Sequence, residues 1–243
     1  PALPGRVFRK LKRIRQRQQG IIWCAKRAIS EQEALMQIIG ETQPLSIQEE
    51  FSEMLEEAKQ VQMNCPVHMG GAGSINLIYQ LTEYIQATKA IETGVAYGWS
   101  SLAFLLPLKK RNGRLISTDM PYSSETAPYA GCVVPTHLRS GWRIIKKPDQ
   151  EALPEAIAEF GNIDICHYDS DKSEDGRRWA YPLLWNALRP GGFFVSDDIG
   201  DNMGFQKFCS SIGVAPLVVE INATRGLKYV GIVKKPLDFS EIV

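Results

Sequence analysis

Two groups of residues in this 243-residue chain combine side-chain type and spacing in a way that suits chemistry. The first is Asp169, Asp197 and Asp198, with Lys172 and His167 close by in sequence. Apolar, β-prone runs precede the acids: Ile163–Tyr168 before Asp169, and Phe193–Ser196 before Asp197-Asp198. Three carboxylates from neighbouring strand ends, without a His or Cys pair at ligand spacing, suit a hard cation such as Mg2+ or Ca2+. Such an ion fixes a bound hydroxyl and lowers its pKa for attack. Lys172, three residues past Asp169, can take the hydroxyl proton if its own pKa is depressed. His167 lies two residues before Asp169 on the same strand face and is the second candidate base.

The second group is the turn Glu92-Thr93-Gly94-Val95-Ala96-Tyr97-Gly98-Trp99-Ser100-Ser101. Its glycines allow positive φ and the close approach of a ligand. The free N–H groups of the helix that starts near Ser100 favour a polar or anionic group. A nucleotide-like ligand at the first strand-to-helix turn is therefore expected. Asp119 lies 25 residues after Gly94 at the end of the next strand, where a carboxylate can accept both hydroxyls of a ribose. The glycine spacing is not the dinucleotide pattern G-x-G-x-x-G.

These residues need a frame, and the chain supplies one from Lys89 onward. Strands are expected at 89–92, 114–118, 142–145, 163–168, 193–196, 217–221 and 228–233, with helices between the earlier ones. Repeated strand–helix units imply an α/β Rossmann-like, doubly wound sheet of seven strands, mostly parallel with an antiparallel C-terminal hairpin strand. Residues 1–73 read as an N-terminal helical extension, and 74–243 as the main domain. The extension holds a basic helix with Phe8, Leu11 and Ile14 in a narrow apolar stripe, then Ile21-Ile22-Trp23 and a helical stretch to Ile39. Ser46-Ile47-Gln48-Glu49 is a capping box that opens an acidic helix to about Val61. The glycine-rich loop Cys65–Gly73 reads as a lid or linker.

Composition narrows the classes. With 44% hydrophobic and 23% charged residues the chain is an ordinary globular one. Five scattered cysteines, none in C-x-x-C spacing, argue against a zinc site or a secreted disulfide framework, so a reducing cytoplasm is expected. No apolar run is long enough to span a bilayer. The net charge is +1, yet residues 6–17 carry seven cations and no acid, which leaves the remainder at −6. An acidic body with a basic arm is not a nucleic-acid-binding profile. The arm suits packing or self-association, a homo-oligomer through the N-terminal helices, or a membrane surface.

Together, Glu92-x-Gly94-x-x-x-Gly98-x-Ser100, Asp169-Ser170-Asp171-Lys172 and Arg189-Pro190-Gly191-Gly192-Phe193-Phe194-Val195-Ser196-Asp197-Asp198 resemble class I S-adenosylmethionine-dependent O-methyltransferases. The metal-dependent catechol, caffeoyl-CoA and macrolide-sugar groups are the most similar. The resemblance covers roughly residues 75–235. It implies S-adenosylmethionine held by Glu92, Gly94, Gly98, Ser100, Asp119 and Asp169, with Asp149-Gln150 at the adenine. It implies Mg2+ on Asp169, Asp197 and Asp198, and Lys172 as base. The catechol-type enzymes carry Asp-Asn where this chain has Asp197-Asp198. Related sugar methyltransferases carry His in place of Lys172, which keeps His167 in play.

The expected activity is methyl transfer to a hydroxyl of a small molecule such as a natural-product sugar, a polyketide or a catechol. Met120-Pro121-Tyr122 and the N-terminal region are expected to touch the acceptor. A nicotinamide-dependent oxidoreductase is the rival enzyme, and a non-catalytic scaffold of the same fold is the third reading.

Overall fold

The strand–helix alternation builds an eight-stranded sheet in a computed structural model, which describes residues 3–120, 123–223 and 226–237. The strands are β1 (Ala28–Ile29), β2 (Lys89–Thr93), β3 (Arg114–Thr118), β4 (Trp142–Ile145), β5 (Ile163–Tyr168), β6 (Leu188–Ser196), β7 (Leu217–Ala223) and β8 (Gly226–Lys234). The helices are α1 (Leu3–Ala25), α2 (Glu31–Ile39), α3 (Ile47–Met63), α4 (Ile75–Tyr84), α5 (Trp99–Lys109), α6 (Asp149–Phe160), α7 (Glu174–Ala187) and α8 (Gly204–Ile212). Across the sheet the order is β1-β7-β8-β6-β5-β2-β3-β4, and only β8 runs antiparallel to its neighbours.

Successive strand residues point to opposite faces, and both faces are covered. Ala90, Leu115, Ile165 and Phe193 pack with α4 and α5 on one side. Ile91, Ile116, Cys166 and Phe194 pack with α6, α7 and α8 on the other. This is why the central strands read as nearly continuous apolar runs rather than alternating ones.

The expected mostly parallel sheet with an antiparallel hairpin forms, with one strand more than the seven expected. The addition is β1, two residues paired parallel to β7, too short to show any period in sequence. The basic segment and Ile21-Ile22-Trp23 form one continuous helix, α1. The capping box at Ser46 and Glu49 is present, and Ser30 with Glu33 caps α2 in the same way. Arg189-Pro190-Gly191-Gly192 lies inside β6, where the register against β5 shifts, rather than in a loop before it. All five cysteines are free thiols.

β2 has β3 on one side and β5 on the other, so successive units of the chain depart from it in opposite directions. Such a reversal opens a crevice at the carboxyl ends of the strands. The opposite edge is tied by Asp164. Its Oδ2 accepts the backbone N–H of Thr88 at 2.7 Å and of Lys89 at 2.9 Å, while Arg189 Nε donates to Oδ1. Burial disfavours the charged carboxylate, but Arg189 and the two N–H groups outweigh it and hold the Asp164 pKa below the ordinary range. A depressed folded pKa gives stability that is complete above the unfolded value and disappears as pH falls through the folded one. Asp164→Asn should therefore cost about 2 kcal/mol at pH 7 and progressively less below about pH 4. Urea unfolding at both pH values measures this, and an equal cost at both would show that the charge does not matter.

Candidate active site

The turn after β2 is shaped by two positive-φ glycines. Gly94 (φ +81) donates its N–H to Thr118 O at 2.8 Å, and a Cβ at this position would come within 2.6 Å of Asp169 O. Glycine is required here because the turn presses against the end of β5. Gly98 (φ +94) opens α5, and a Cβ there would meet Gly131 Cα at 2.8 Å. Asp119, at the end of β3, accepts the Val95 N–H at 3.1 Å, and burial raises its pKa. Asp149 takes hydrogen bonds from Thr118 Oγ1 at 3.1 Å and from Ser170 Oγ, so it ties the ends of β3 and β5 together.

These groups border a cavity of about 1030 Å³, of the size that holds a cofactor and a small substrate. Gly94, Ser100, Asp119, Asp149, Gln150 and Asp169 line it, and so do Lys172, Asp197 and Asp198. Glu92, Gly98 and His167 do not. Glu92 lies fully buried beneath the turn, where its Oε2 accepts from Ser101 Oγ at 2.6 Å and Ser117 Oγ at 2.7 Å. Its Oε1 has no partner, and burial raises its pKa. Its placement suits it to hold the turn from below.

The acid cluster sits at the other end of the cavity. Lys172 Nζ donates to Asp198 Oδ2 and lies 2.9 Å from Asp169 Oδ1, a distance for an ion pair without hydrogen-bond alignment. Lys228, from β8, reaches Asp198 Oδ1 at 3.1 Å. His167, behind the acids, meets Asp197 Oδ1 through Nε2 at 3.2 Å. Burial raises the Asp169 pKa and the neighbouring charge of Asp197 adds to it. Burial works against the ammonium of Lys172, but Asp169 and Asp198 outweigh it and raise its pKa. Likewise burial opposes the imidazolium of His167, yet Asp197, then Asp169 and Glu92, lift it to about 9. A lysine base needs a depressed pKa, and in this arrangement Lys172 has the opposite.

The same arrangement revises the expected Mg2+ set. Among the described residues no three His, Cys, Asp or Glu side chains meet at metal-ligand spacing. The positive charge amid Asp169 and Asp198 is Lys172 Nζ, which neutralises the acids that an ion would need. As arranged, these residues do not fit a divalent cation.

Two contributors, the Arg177–Asn202 pair and the C-terminal hairpin, escaped the sequence reading. Arg177, fully buried on α7, donates from Nη2 to Asp198 O at 2.8 Å and Asp197 O at 3.1 Å, and from Nη1 to Asn202 Oδ1 at 3.3 Å. Asn202 Nδ2 in turn holds Lys172 O at 2.8 Å. The only hint in sequence was an Arg on the apolar side of a helix. Ile221, Asn222, Lys228 and Val230 bring the hairpin into the cavity wall. The glycine-rich loop also lines it, pinned by the Tyr97 hydroxyl, which donates to Val67 O at 2.8 Å and accepts from Met69 N at 3.1 Å. Met120 lines the cavity, whereas Pro121, Tyr122 and the side chain of Phe8 lie outside the described residues.

The fold is shared with solved methyltransferases. An O-methyltransferase from Bacillus cereus, solved with S-adenosylhomocysteine, is 18% identical, with a TM-score of 0.62 over 78% of this chain and 95% of that one. The O-methyltransferase TomG from Streptomyces achromogenes, involved in tomaymycin synthesis and solved with S-adenosylmethionine, is 19% identical, with a TM-score of 0.61 over 76% and 90%. A methyltransferase from Podospora anserina is 12% identical, with a TM-score of 0.55 over 76% and 88%. Residues 91–199 match a family model described as a methyltransferase domain, which spans the glycine turn and all three acids. No curated protein sequence matches the chain. The chain thus shares its fold with these methyltransferases, and its central residues 91–199 resemble a methyltransferase domain.

The Arg177 clamp makes a measurable claim. Arg177→Met removes the guanidinium donors to the carbonyls of Asp197 and Asp198 and to Asn202 Oδ1, and should destabilise the chain by about 2–4 kcal/mol. Urea unfolding reads the loss, and a change below about 0.5 kcal/mol, typical of a surface site, would refute the clamp.

Proposed function

We propose that the chain transfers the methyl group of S-adenosylmethionine to a hydroxyl oxygen of a small molecule. The observation that carries this is the shared cavity: the glycine turn and Asp119 at one end, the acid–lysine–histidine cluster at the other, joined where Gly94 meets Asp169. When bound, the cofactor supplies a methyl group on a sulfonium, which needs no further activation. The protein's task is then to place the oxygen in line with it and to remove a proton.

In this reading Gly94 to Ser100 cradle the methionine end, Asp119 accepts the ribose hydroxyls, and Asp149-Gln150 border the adenine. Residues 74–243 carry the chemistry, and the glycine-rich loop of the 1–73 segment covers the acceptor. Lys172 and His167 both hold their protons: Lys172, in the cavity wall, is the positive charge that orients the acceptor oxygen, and His167, behind the acids, steadies Asp197. Asp169 is the better matched base: burial and Asp197 raise its pKa toward the working range, and it lines the cavity. Mg2+ dependence rests on the acids' donor chemistry alone and requires Lys172 to leave them first. The acceptor classes named from sequence, a natural-product sugar, a polyketide or a catechol, are all compatible with a polar cluster in a roomy cavity. The free thiols support a reducing compartment. A nicotinamide enzyme is disfavoured because Gly94 and Gly98 do not supply the dinucleotide spacing.

Methyl transfer from labelled S-adenosylmethionine to a panel of sugars and catechols tests the reading, with EDTA and Mg2+ arms that report whether Lys172 or an ion holds the acids. Asp119→Asn should weaken cofactor binding about 10- to 100-fold by calorimetry, the range of a hydrogen bond to a charged group. Asp169→Asn should abolish transfer while cofactor binding survives. The wild-type rate should fall as the pH drops through a value above the ordinary carboxylate range of about 4, since protonated Asp169 cannot accept a proton. NAD binding with no affinity for S-adenosylmethionine would sink the proposal.

A further inference from the structure

Helix α1 has two apolar faces, and the fold uses one of them. Gly20 lies against the 3₁₀ turn Ile199–Asp201, where a Cβ would come within 2.5 Å of Gly200 O. Cys24 is fully buried, Trp23 packs edge-on to Phe205 with ring centroids 6.4 Å apart, and Gln16 Nε2 donates to Glu174 Oε2 at 2.5 Å. Arg17 reaches Asp201 at 3.7 Å. These residues dock the helix on the body.

The opposite face has no partner among the described residues. At 3.6 residues per turn Leu11, Ile14 and Ile22 fall within an arc of about 80°, pointing away from Gly20, while Ile21 at the edge of the stripe leans on Gly200. Leu11 is 60% exposed and Ile22 56% exposed. Lys10 borders this stripe on one side, Arg15 and Lys12 on the other, and all three are exposed. Residues 10–17 carry five cations and no acid, and of these only Arg17 makes an ion pair among the described residues. An apolar stripe flanked by unneutralised cations matches a helix that lies in a bilayer interface. No described helix is long and apolar enough to cross a membrane.

We propose that the outer face of α1 docks this protein on an anionic membrane surface. Leu11, Ile14 and Ile22 enter the headgroup boundary, and Lys10, Lys12 and Arg15 engage lipid phosphates and carboxylates. A second copy of the chain fits less well. Pairing two α1 helices stacks their cations, and the acidic α3 exposes Glu49, Glu53, Glu56 and Glu57 with no apolar stripe of matching length. The proposal is independent of the methyl-transfer reading, because none of these residues lines the cavity.

The test is cosedimentation of the full chain with phosphatidylcholine vesicles, with and without about 30% phosphatidylserine. Binding is expected to the anionic vesicles alone and to fall steeply as salt is raised. Lys10→Gln, Lys12→Gln and Arg15→Gln together should weaken it roughly 100-fold. Leu11→Asn, Ile14→Asn and Ile22→Asn together should abolish it with the thermal midpoint unchanged, since these side chains are exposed. Absence of binding, or equal binding to neutral vesicles, overturns the proposal. So does a dimer seen by light scattering that the three Asn changes dissolve while vesicle binding is unaffected.

Discussion

The contact between Gly94 and the Asp169 carbonyl is the constraint on which the site depends. It lies where β2 and β5 adjoin, the point at which the sheet order reverses. Because residue 94 has no Cβ, the turn after β2 closes directly onto the chain leaving β5. Asp169 N–H completes the seam by donating to Thr93 O at 3.0 Å. A larger residue would move the turn and the first acid apart together, and with them the cofactor end of the cavity from its reactive end. The distance between cradle and cluster is thus set by backbone against backbone, which is stiffer than any pair of side chains.

Beyond this seam the problem is electrostatic. Asp169, Asp197 and Asp198 are gathered in a partly buried space, where like charges repel and desolvation penalises each of them. Three cations balance them: His167 against Asp197, Lys172 between Asp169 and Asp198, and Lys228 against Asp198. Asp198 stays charged because its two lysines outweigh the burial that raises its pKa. Asp169 has the weakest compensation and so is the acid most ready to exchange a proton. Arg177 adds a different kind of support. It spends its donors on the carbonyls of Asp197 and Asp198 and fixes the backbone, which leaves both carboxylates free to face the cavity.

Much of this was legible in sequence because it is local. The strand ends at Glu92, Asp119, Asp169 and Asp197 follow from apolar runs that stop at an acid, and the turn at Gly94 follows from glycine spacing. The Ser46 box was read correctly, and the equivalent Ser30-Glu31-Gln32-Glu33 carries the same signal. What escaped depends on contacts distant in sequence. β1 has two residues, and only its pairing with β7 makes it a strand. Lys228 is an ordinary hairpin cation until the hairpin folds beside β6. The expectation that Lys172 would be a base, or that the acids would bind an ion, turned on where one flexible ammonium sits. Spacing along the chain does not encode that position.

The seating of α1 links the most remote part of the chain to this cluster. Its Gly20 rests on the turn that begins at Ile199, one residue past Asp198, and Asp198 itself has a left-handed backbone with φ of 51. A non-glycine residue in that conformation is held by its surroundings. Here those surroundings are Arg177 beneath and α1 across the following turn. The helix therefore braces the acid pair from outside, as Arg177 does from within. The same helix can then serve as both a docking surface and a structural support, because its two faces are separate and only the inner one touches the body.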